Sequence, residues 1–286
     1  MKGLSDSELS EVKSLVKLLD DEDDSITVIA QKKLIEKGEV VLHHLNQDVI
    51  NASEIQKKKW NLSYNTVIST IIRELFREFK AKWGNELDLE EGAFLIARFG
   101  YPQTDMSSYS DLLNYYAAEL DERLVQIEDP VEIIARINTY FFENKGFSGN
   151  KLDFYNKDNH FLNKVIEKKT GVPISLSVVY MLVTKRLNIP IKGIGMPGHF
   201  IIKYSDGKSN IYIDPFESGK ITTKDDCVKI LSAAGYEFKD EYLEAVTNQQ
   251  ILERMLRNLI ISYERIGQEE KLTQLLQYID ILNSNV

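Results

Sequence analysis

Gly171-Val172-Pro173-Ile174-Ser175-Leu176-Ser177-Val178-Val179-Tyr180 is the stretch on which the fold turns. Proline is at home in the first turn of a helix, where its missing N–H has no partner to lose and its fixed φ already fits. The spacing therefore predicts a helix from Pro173 to about Leu187-Asn188, just before Pro190. Its first turn carries Ser175, with Ser177 close behind, beside the backbone N–H groups that a helix N-terminus offers to an oxyanion. Its longest apolar run, Val178 to Val183, is far too short to cross a bilayer.

Downstream the period changes. Ile191–Ile194, Phe200–Tyr204 and Ile211–Ile213 read as strands, with Ser205-Asp206-Gly207 as a hairpin turn between the last two. His199 stands at the mouth of the middle strand, in Pro197-Gly198-His199-Phe200, where Gly198 permits close approach. Asp214 ends the next strand, in Ile213-Asp214-Pro215-Phe216. An antiparallel pair would bring the two together. The carboxylate could then fix the imidazole tautomer and free the other ring nitrogen for general base work. In the alternative reading Asp214 caps a turn and His199 is a satisfied structural residue. The other histidines read as bland: His43 and His44 on a solvated helix, His160 as a capping or surface residue before a helix.

Upstream, residues 5 to 125 read as helical throughout. Leu15, Val16, Leu18 and Leu19 recur at helical spacing, an acidic turn spans Asp20–Asp24, Ser25 is a candidate N-cap, and Gly38 closes the second helix. This hairpin, near 10–46, resembles a single HEAT-like repeat or an ordinary helical pair. Helices follow over 60–82, 89–99 and 109–124, and Lys57-Lys58-Lys59 reads as a solvated face. Asp129-Pro130 starts another helix, and Thr223 with Asp226 looks like a capping box for one ending near Ala234. The last forty residues form two helices broken at Gly267, resembling one tetratricopeptide-type repeat.

Composition narrows the function classes. The 286 residues suit about two domains or one core with extensions. Lys plus Arg is 35 against 44 Asp plus Glu, a net charge of −9, which argues against nucleic-acid or anionic-membrane binding. The start, Met1-Lys2-Gly3-Leu4-Ser5-Asp6, carries no secretory pattern. Cys227 is the single cysteine, so no internal disulfide forms and a reducing cytoplasm is the expected compartment. Cys227 falls in the first turn of a predicted helix, behind Asp225 and Asp226, which oppose thiolate formation; packing is its expected role. No metal-ligand spacing and no phosphate loop occur, and Gly193, Gly195 and Gly198 precede a strand rather than a helix, so neither metal nor cofactor is expected.

Together the 171–180 run, Leu187-Asn188-Ile189-Pro190, Pro197–Phe200 and Ile213–Phe216 resemble the SirB-type transglutaminase-like family. Gly146-Phe147-Ser148-Gly149-Asn150, Tyr155, Asn159 with Leu162-Asn163, and the Ala93–Pro102 segment agree with it, over roughly residues 90–280. The resemblance implies an α+β protein with a papain-like core and a small antiparallel sheet. It divides the chain into a helical region 1–125, a core 126–246 and a helical hairpin 247–286. Active members of the wider superfamily start a buried helix with Cys and follow it with His and Asp on adjacent strands. Here His199 and Asp214 match, but no Cys lies near 171–177; Ser175 or Ser177 stands closest to the missing thiol. A helix N-terminus and an imidazolium can make a thiolate near neutral pH, whereas a serine hydroxyl needs concerted base catalysis. No thioester can form at that position. Two functions follow: a peptide- or protein-binding module using a cleft around His199, Asp214, Asn159, Asn163, Gly198, Phe200 and Tyr180, or a hydrolase of amides or esters using a Ser175 (or Ser177)-His199-Asp214 triad.

Overall fold

The computed structural model describes residues 4–45 and 54–284. Residues 1–3, 46–53 and 285–286 lie outside them, and with position 46 the end of the hairpin expected near 10–46. The chain opens with α1 (Asp6–Lys17), α2 (Asp24–Lys37), α3 (Glu54–Trp83), α4 (Leu89–Gly100), α5 (Ser107–Leu124) and α6 (Pro130–Asn138). Directly after Asn138 the helix widens into a π-helical turn, Thr139–Asn144. Then come β1 (Ser148–Gly149), α7 (Leu162–Lys168), β2 (Thr170–Gly171) and α8 (Pro173–Arg186). The strands β3 (Ile191–Ile194), β4 (Ile201–Ser205), β5 (Asn210–Asp214) and β6 (Lys220–Thr222) follow, and α9 (Lys224–Ala233), α10 (Asn248–Arg265) and α11 (Glu269–Asn283) complete the chain.

The architecture is α+β, as the motifs imply. Strands β3 to β6 form one antiparallel sheet in sequence order, and β1 pairs with β2 in a short parallel ladder, Ser148 to Thr170 and Gly149 to Gly171. Helix α8 is the spine. Pro173 through Tyr180 and Leu182 through Thr184 are all buried, because the helix is covered by α5, α7, β3, β4 and the turn at Pro215–Glu217. A helix apolar on nearly every face can exist in water only when enclosed in this way. One buried apolar cluster runs from Val12 to Leu282 and includes residues of α1, α3, α8 and α11. A smaller one, Ile194, Met196, Ile201, Cys227, Leu231 and Leu243, lies between the sheet and α9.

The predicted helix start at Pro130, the start at Pro173 and the Thr223–Asp226 capping box all stand, the last through Asp226 N donating to Thr223 Oγ1 at 3.2 Å. Four local expectations are corrected. Asp23, not Ser25, caps α2: its carboxylate accepts from Ser25 N at 2.8 Å, and an acidic side chain there also complements the helix dipole. His43 is not solvated; its Nδ1 lies 3.0 Å from Gln103 O. Lys59 reaches back to the acidic turn, 2.7 Å from Asp24 Oδ1. His160 is buried, not a surface residue. The strand β6, the β1–β2 ladder and the π turn carry no sequence signal of their own, being too short to show a period.

Packing between α4 and the segment before α7 is tight enough to test. A Cβ at Gly100 would lie 2.5 Å from Phe161 Cζ, and Phe161 is fully buried with its ring edge-on to Tyr101. Replacing a helical glycine by alanine ordinarily gains up to ~1 kcal/mol. Here overpacking should win, so Gly100→Ala is expected to lower stability by roughly 1–3 kcal/mol in urea unfolding.

Candidate functional site

The site begins with the β4–β5 hairpin. Its register pairs Ile202 with Ile213, so His199, two residues before β4, and Asp214, the last residue of β5, come to the same end of the sheet. His199 Nε2 and Asp214 Oδ2 lie 2.6 Å apart. A carboxylate only accepts, so Nε2 carries the proton and Nδ1 is the remaining ring nitrogen. Nδ1 has no hydrogen-bond partner among the described residues. Asp214 does two jobs at once. Its other oxygen accepts from Phe216 N at 3.0 Å and Glu217 N at 3.3 Å, capping the turn that follows. One carboxylate thus both holds the imidazole and caps the turn.

The loop bearing His199 is held from α10. Arg254 donates through Nη1 to Met196 O and through Nη2 to His199 O, each at 2.8 Å. Its guanidinium also lies 5.5 Å from the Phe200 ring centre. Gly198, exposed and at φ +72°, makes the bend that lets the carbonyls on either side point inward to that one cation. Phe200 is buried beneath it. Phe216 stands with its ring edge-on to the His199 imidazole at 6.5 Å between centres, and Phe154 packs on Phe216 at 5.9 Å.

The serines do not join this pair. Ser175 Oγ donates to Asn159 O at 2.6 Å and accepts from Val172 N at 3.0 Å, and it is completely buried. A hydroxyl has one proton, and Ser175 has spent it on the scaffold. Ser177 is also completely buried, and its Oγ has no hydrogen-bond partner among the described residues. Neither serine is hydrogen-bonded to His199. Asn159 explains why Ser175 faces away. Its side-chain Nδ2 donates to Asp153 O at 2.6 Å and its Oδ1 accepts from Asn150 Nδ2 at 3.0 Å, while its own carbonyl takes the serine proton. Asn159 thus joins the 150–159 loop to the start of α8. Asn163 is buried in the first turn of α7, and Tyr180 is buried on α8 with its hydroxyl pointed at Asn138 Oδ1, 3.2 Å away. Both are framework rather than cleft surface. Burial pushes the Tyr180 phenol well above its ordinary range, so it stays a neutral donor.

Cys227 is fully buried in the first turn of α9. Burial foremost, then the charges of Asp226 and Asp214, pushes its thiol up to about 11. It is a packing residue with no thiolate character. His160 is buried in the turn before α7, with Nε2 3.0 Å from Ser262 Oγ of α10. Burial pushes its imidazole down to about 4, so it is neutral at physiological pH. Among the described residues no three acidic, histidine or cysteine side chains converge as a metal-binding group. A separate groove of about 510 Å³, lined by Phe79, Phe94, Leu95, Met106, Glu78 and Arg98, shares no residue with the His199 and Asp214 pair.

The residues that sequence reasoning missed are Arg254, Asn138 and Asn150. Arg254 lies beside core positions of an amphipathic helix with nothing to mark it as the anchor of a loop 55 residues earlier. The asparagines act through amide contacts, two each, that leave no periodic trace.

An α+β core in which a buried helix packs against a sheet whose strands bring a His and an Asp together is the layout of a transglutaminase-like protein. Residues 107–257, just over half of the chain, match the family model described as "Transglutaminase-like superfamily", and the chain belongs to that superfamily. It is 34% identical over 179 residues to a protein of Xylella fastidiosa (strain 9a5c) named UPF0162 protein, covering 60% of this chain and 64% of that relative. A Vibrio cholerae UPF0162 protein is 25% identical over 198 residues, 68% of this chain and 72% of its own length. F-box only protein 21 of Mus musculus is 28% identical over 177 residues, 59% of this chain but 28% of that protein. The chain therefore spans somewhat less than two thirds of the Xylella relative and a little over a quarter of the mouse one. No solved structure matches. Among the described residues, no helix is long and apolar enough to cross a membrane.

Two measurements check this geometry. Ser175→Ala leaves Val172 N and Asn159 O without their buried partner and should cost about 1–3 kcal/mol of unfolding free energy. His160 folds with its imidazole held near 4 against an ordinary 6.5, so the unfolded chain binds the proton more tightly. The stability this burial contributes is whole above pH 6.5 and is lost as pH falls toward 4, on the order of 3 kcal/mol. Unfolding titrations from pH 7 to 4 should show that loss in the native chain and a flatter profile in His160→Gln.

Proposed function

We propose that this chain is a non-catalytic protein- or peptide-binding module of the SirB type, whose cleft is built around His199 and Asp214. The observation that carries the reading is the Ser175 hydroxyl, buried and donating to Asn159 O at 2.6 Å where an active relative would present a nucleophile. With Nε2 donating to Asp214, Nδ1 is the ring nitrogen left to meet a bound peptide or partner. In this reading the chain comprises a helical region 1–125 with a HEAT-like hairpin, a transglutaminase-like core 126–246 and a tetratricopeptide-like hairpin 247–286, and works in the cytoplasm. The helical parts extend the docking surface. Its charge of −9 disfavours nucleic acid as the partner.

A second reading, hydrolysis of an amide or ester, is favoured by one feature: the His199 and Asp214 pair is formed, and the Ser177 hydroxyl has no competing partner. It requires Ser177 to leave full burial and come within reach of Nδ1.

Panning the purified chain against a phage-displayed peptide library separates the two. Enriched peptides should bind the native chain and lose at least about tenfold in affinity to His199→Ala, the size of one lost hydrogen bond in a desolvated cleft. A panel of nitrophenyl esters and peptide amides should show no turnover that His199→Ala removes. Turnover lost in both His199→Ala and Ser177→Ala would overturn the binding reading in favour of the hydrolase. Peptide binding unchanged in His199→Ala would take the cleft away from this pair.

A further inference from the structure

Asp214 can orient His199 only if the turn that follows it is fixed, and that turn is unusual. Ser218 and Gly219 both adopt positive φ, +55° and +77°. Gly219 N donates to Asp214 O at 2.9 Å, closing the turn on the very residue that holds the imidazole. A Cβ at Gly219 would lie 2.5 Å from Phe142 Cε2 and 2.6 Å from Asn138 Cγ. The turn is therefore gripped from outside, by two residues that flank the point where α6 passes into the π turn.

Asn138 makes the grip directional. Its Nδ2 donates to Gly219 O at 2.7 Å, and its Oδ1 accepts the Tyr180 hydroxyl at 3.2 Å. One planar amide thus satisfies a turn carbonyl and a fully buried phenol at once. The fully buried Tyr180 ring stacks on Phe141 and lies near Phe142, 4.9 and 6.4 Å between centres, which packs it against the π turn. The contacts form an unbroken series from α8 through Tyr180, Asn138, Gly219 and Asp214 to His199. No other side chain with donor and acceptor together serves this turn among the described residues.

We propose that Asn138 is the positioning residue of the site, holding the Asp214 turn and, through it, the orientation of the His199 imidazole. This rests on the reading of His199 as the ligand-facing group of the cleft. Only a side chain with both an N–H and a C=O fits between Gly219 O and Tyr180 Oη. An aspartate in its place has the same shape but only accepts, leaving Gly219 O facing a carboxylate.

The test is proton NMR of the intact chain, following the low-field imidazole N–H of the His199 hydrogen bond to Asp214. The signal is assigned by its loss in His199→Gln, and its exchange with solvent is measured. Asn138→Asp and Gly219→Ala should each speed that exchange at least about tenfold, the factor that one hydrogen bond's worth of loosening gives. Circular dichroism should remain native, and Tyr180→Phe, which keeps the donor to Gly219 O, should change the rate far less. Should Asn138→Asp fail to fold, Asn138→Ser, uncharged and too short to span to Gly219 O, is read in its place. A native exchange rate in a folded Asn138 variant overturns the proposal. This readout needs no ligand, so it is independent of the peptide-binding comparison: unchanged peptide binding in His199→Ala ends the cleft reading, and an unchanged exchange rate ends the positioning role.

Discussion

A single proton decides what the start of α8 can do. Ser175 lies in the first turn of a helix whose N-terminal N–H groups would stabilise a developing oxyanion, and the matching turn of the sheet holds an oriented imidazole. That proton goes instead to Asn159 O, and the lone pair to Val172 N. The cost of breaking these bonds inside a fully buried site is the desolvation of three polar groups together, some kcal/mol for which no catalytic contact compensates. The same bonds have a constructive side. They tie the 150–159 loop, the β1–β2 ladder and the head of α8 into one unit against which the Phe216 turn packs, Gly149 lying so close that a Cβ there would be 2.6 Å from Phe216. The hydroxyl that would have been a reactant has become a joint.

The His199 side of the site is built on the opposite plan. Nothing there depends on a serine, and everything depends on asparagine, arginine and carboxylate groups reaching across the fold. Arg254 spans from α10 to two carbonyls of the His199 loop, Asp214 shares itself between the imidazole and two backbone N–H groups, and Asn138 holds the turn beyond. Each of these polar groups is doubly used. Multiple satisfaction of this sort makes a buried polar network rigid and makes any single loss expensive. An imidazole held this firmly is pre-organised, which serves binding as well as it serves catalysis.

How much of this was legible from sequence depends on the physical range of each signal. Pro173 and Pro130 mark helix starts because proline's constraint is local, and the Thr223–Asp226 box because capping spans three residues. His199 and Asp214 were legible because two strands and a turn leave one plausible register, and the sheet has it. Ser25 lost the capping position to Asp23 because a run of adjacent acids and serines offers several competing caps, separated only by backbone geometry. His160 was misjudged because what buries it, Ser262 and α10, is 102 residues away in the chain. Arg254 and Asn138 were invisible for the same reason: their partners are backbone carbonyls, which every residue has, so no side-chain pairing announces them. The direction of the Ser175 hydroxyl belongs to this class as well, since it was settled by a carbonyl sixteen residues away.

The lone thiol is poorly placed for covalent chemistry. With Cys227 held up to about 11, the thiolate fraction at pH 7 is on the order of one in ten thousand. Its ordinary disadvantage as a nucleophile is thereby multiplied by a factor that no modest movement of α9 restores, because burial and not a single neighbour is the leading cause. The thiol also lies in the small cluster with Ile194, Met196 and Leu231, on a face of the sheet devoted to packing. An imidazole oriented by a carboxylate, with the Ser175 hydroxyl hydrogen-bonded to the scaffold, is the fixed point of the site. It stands at the mouth of a strand, beside the aromatic edge of Phe216, with Asp214 fixing its direction.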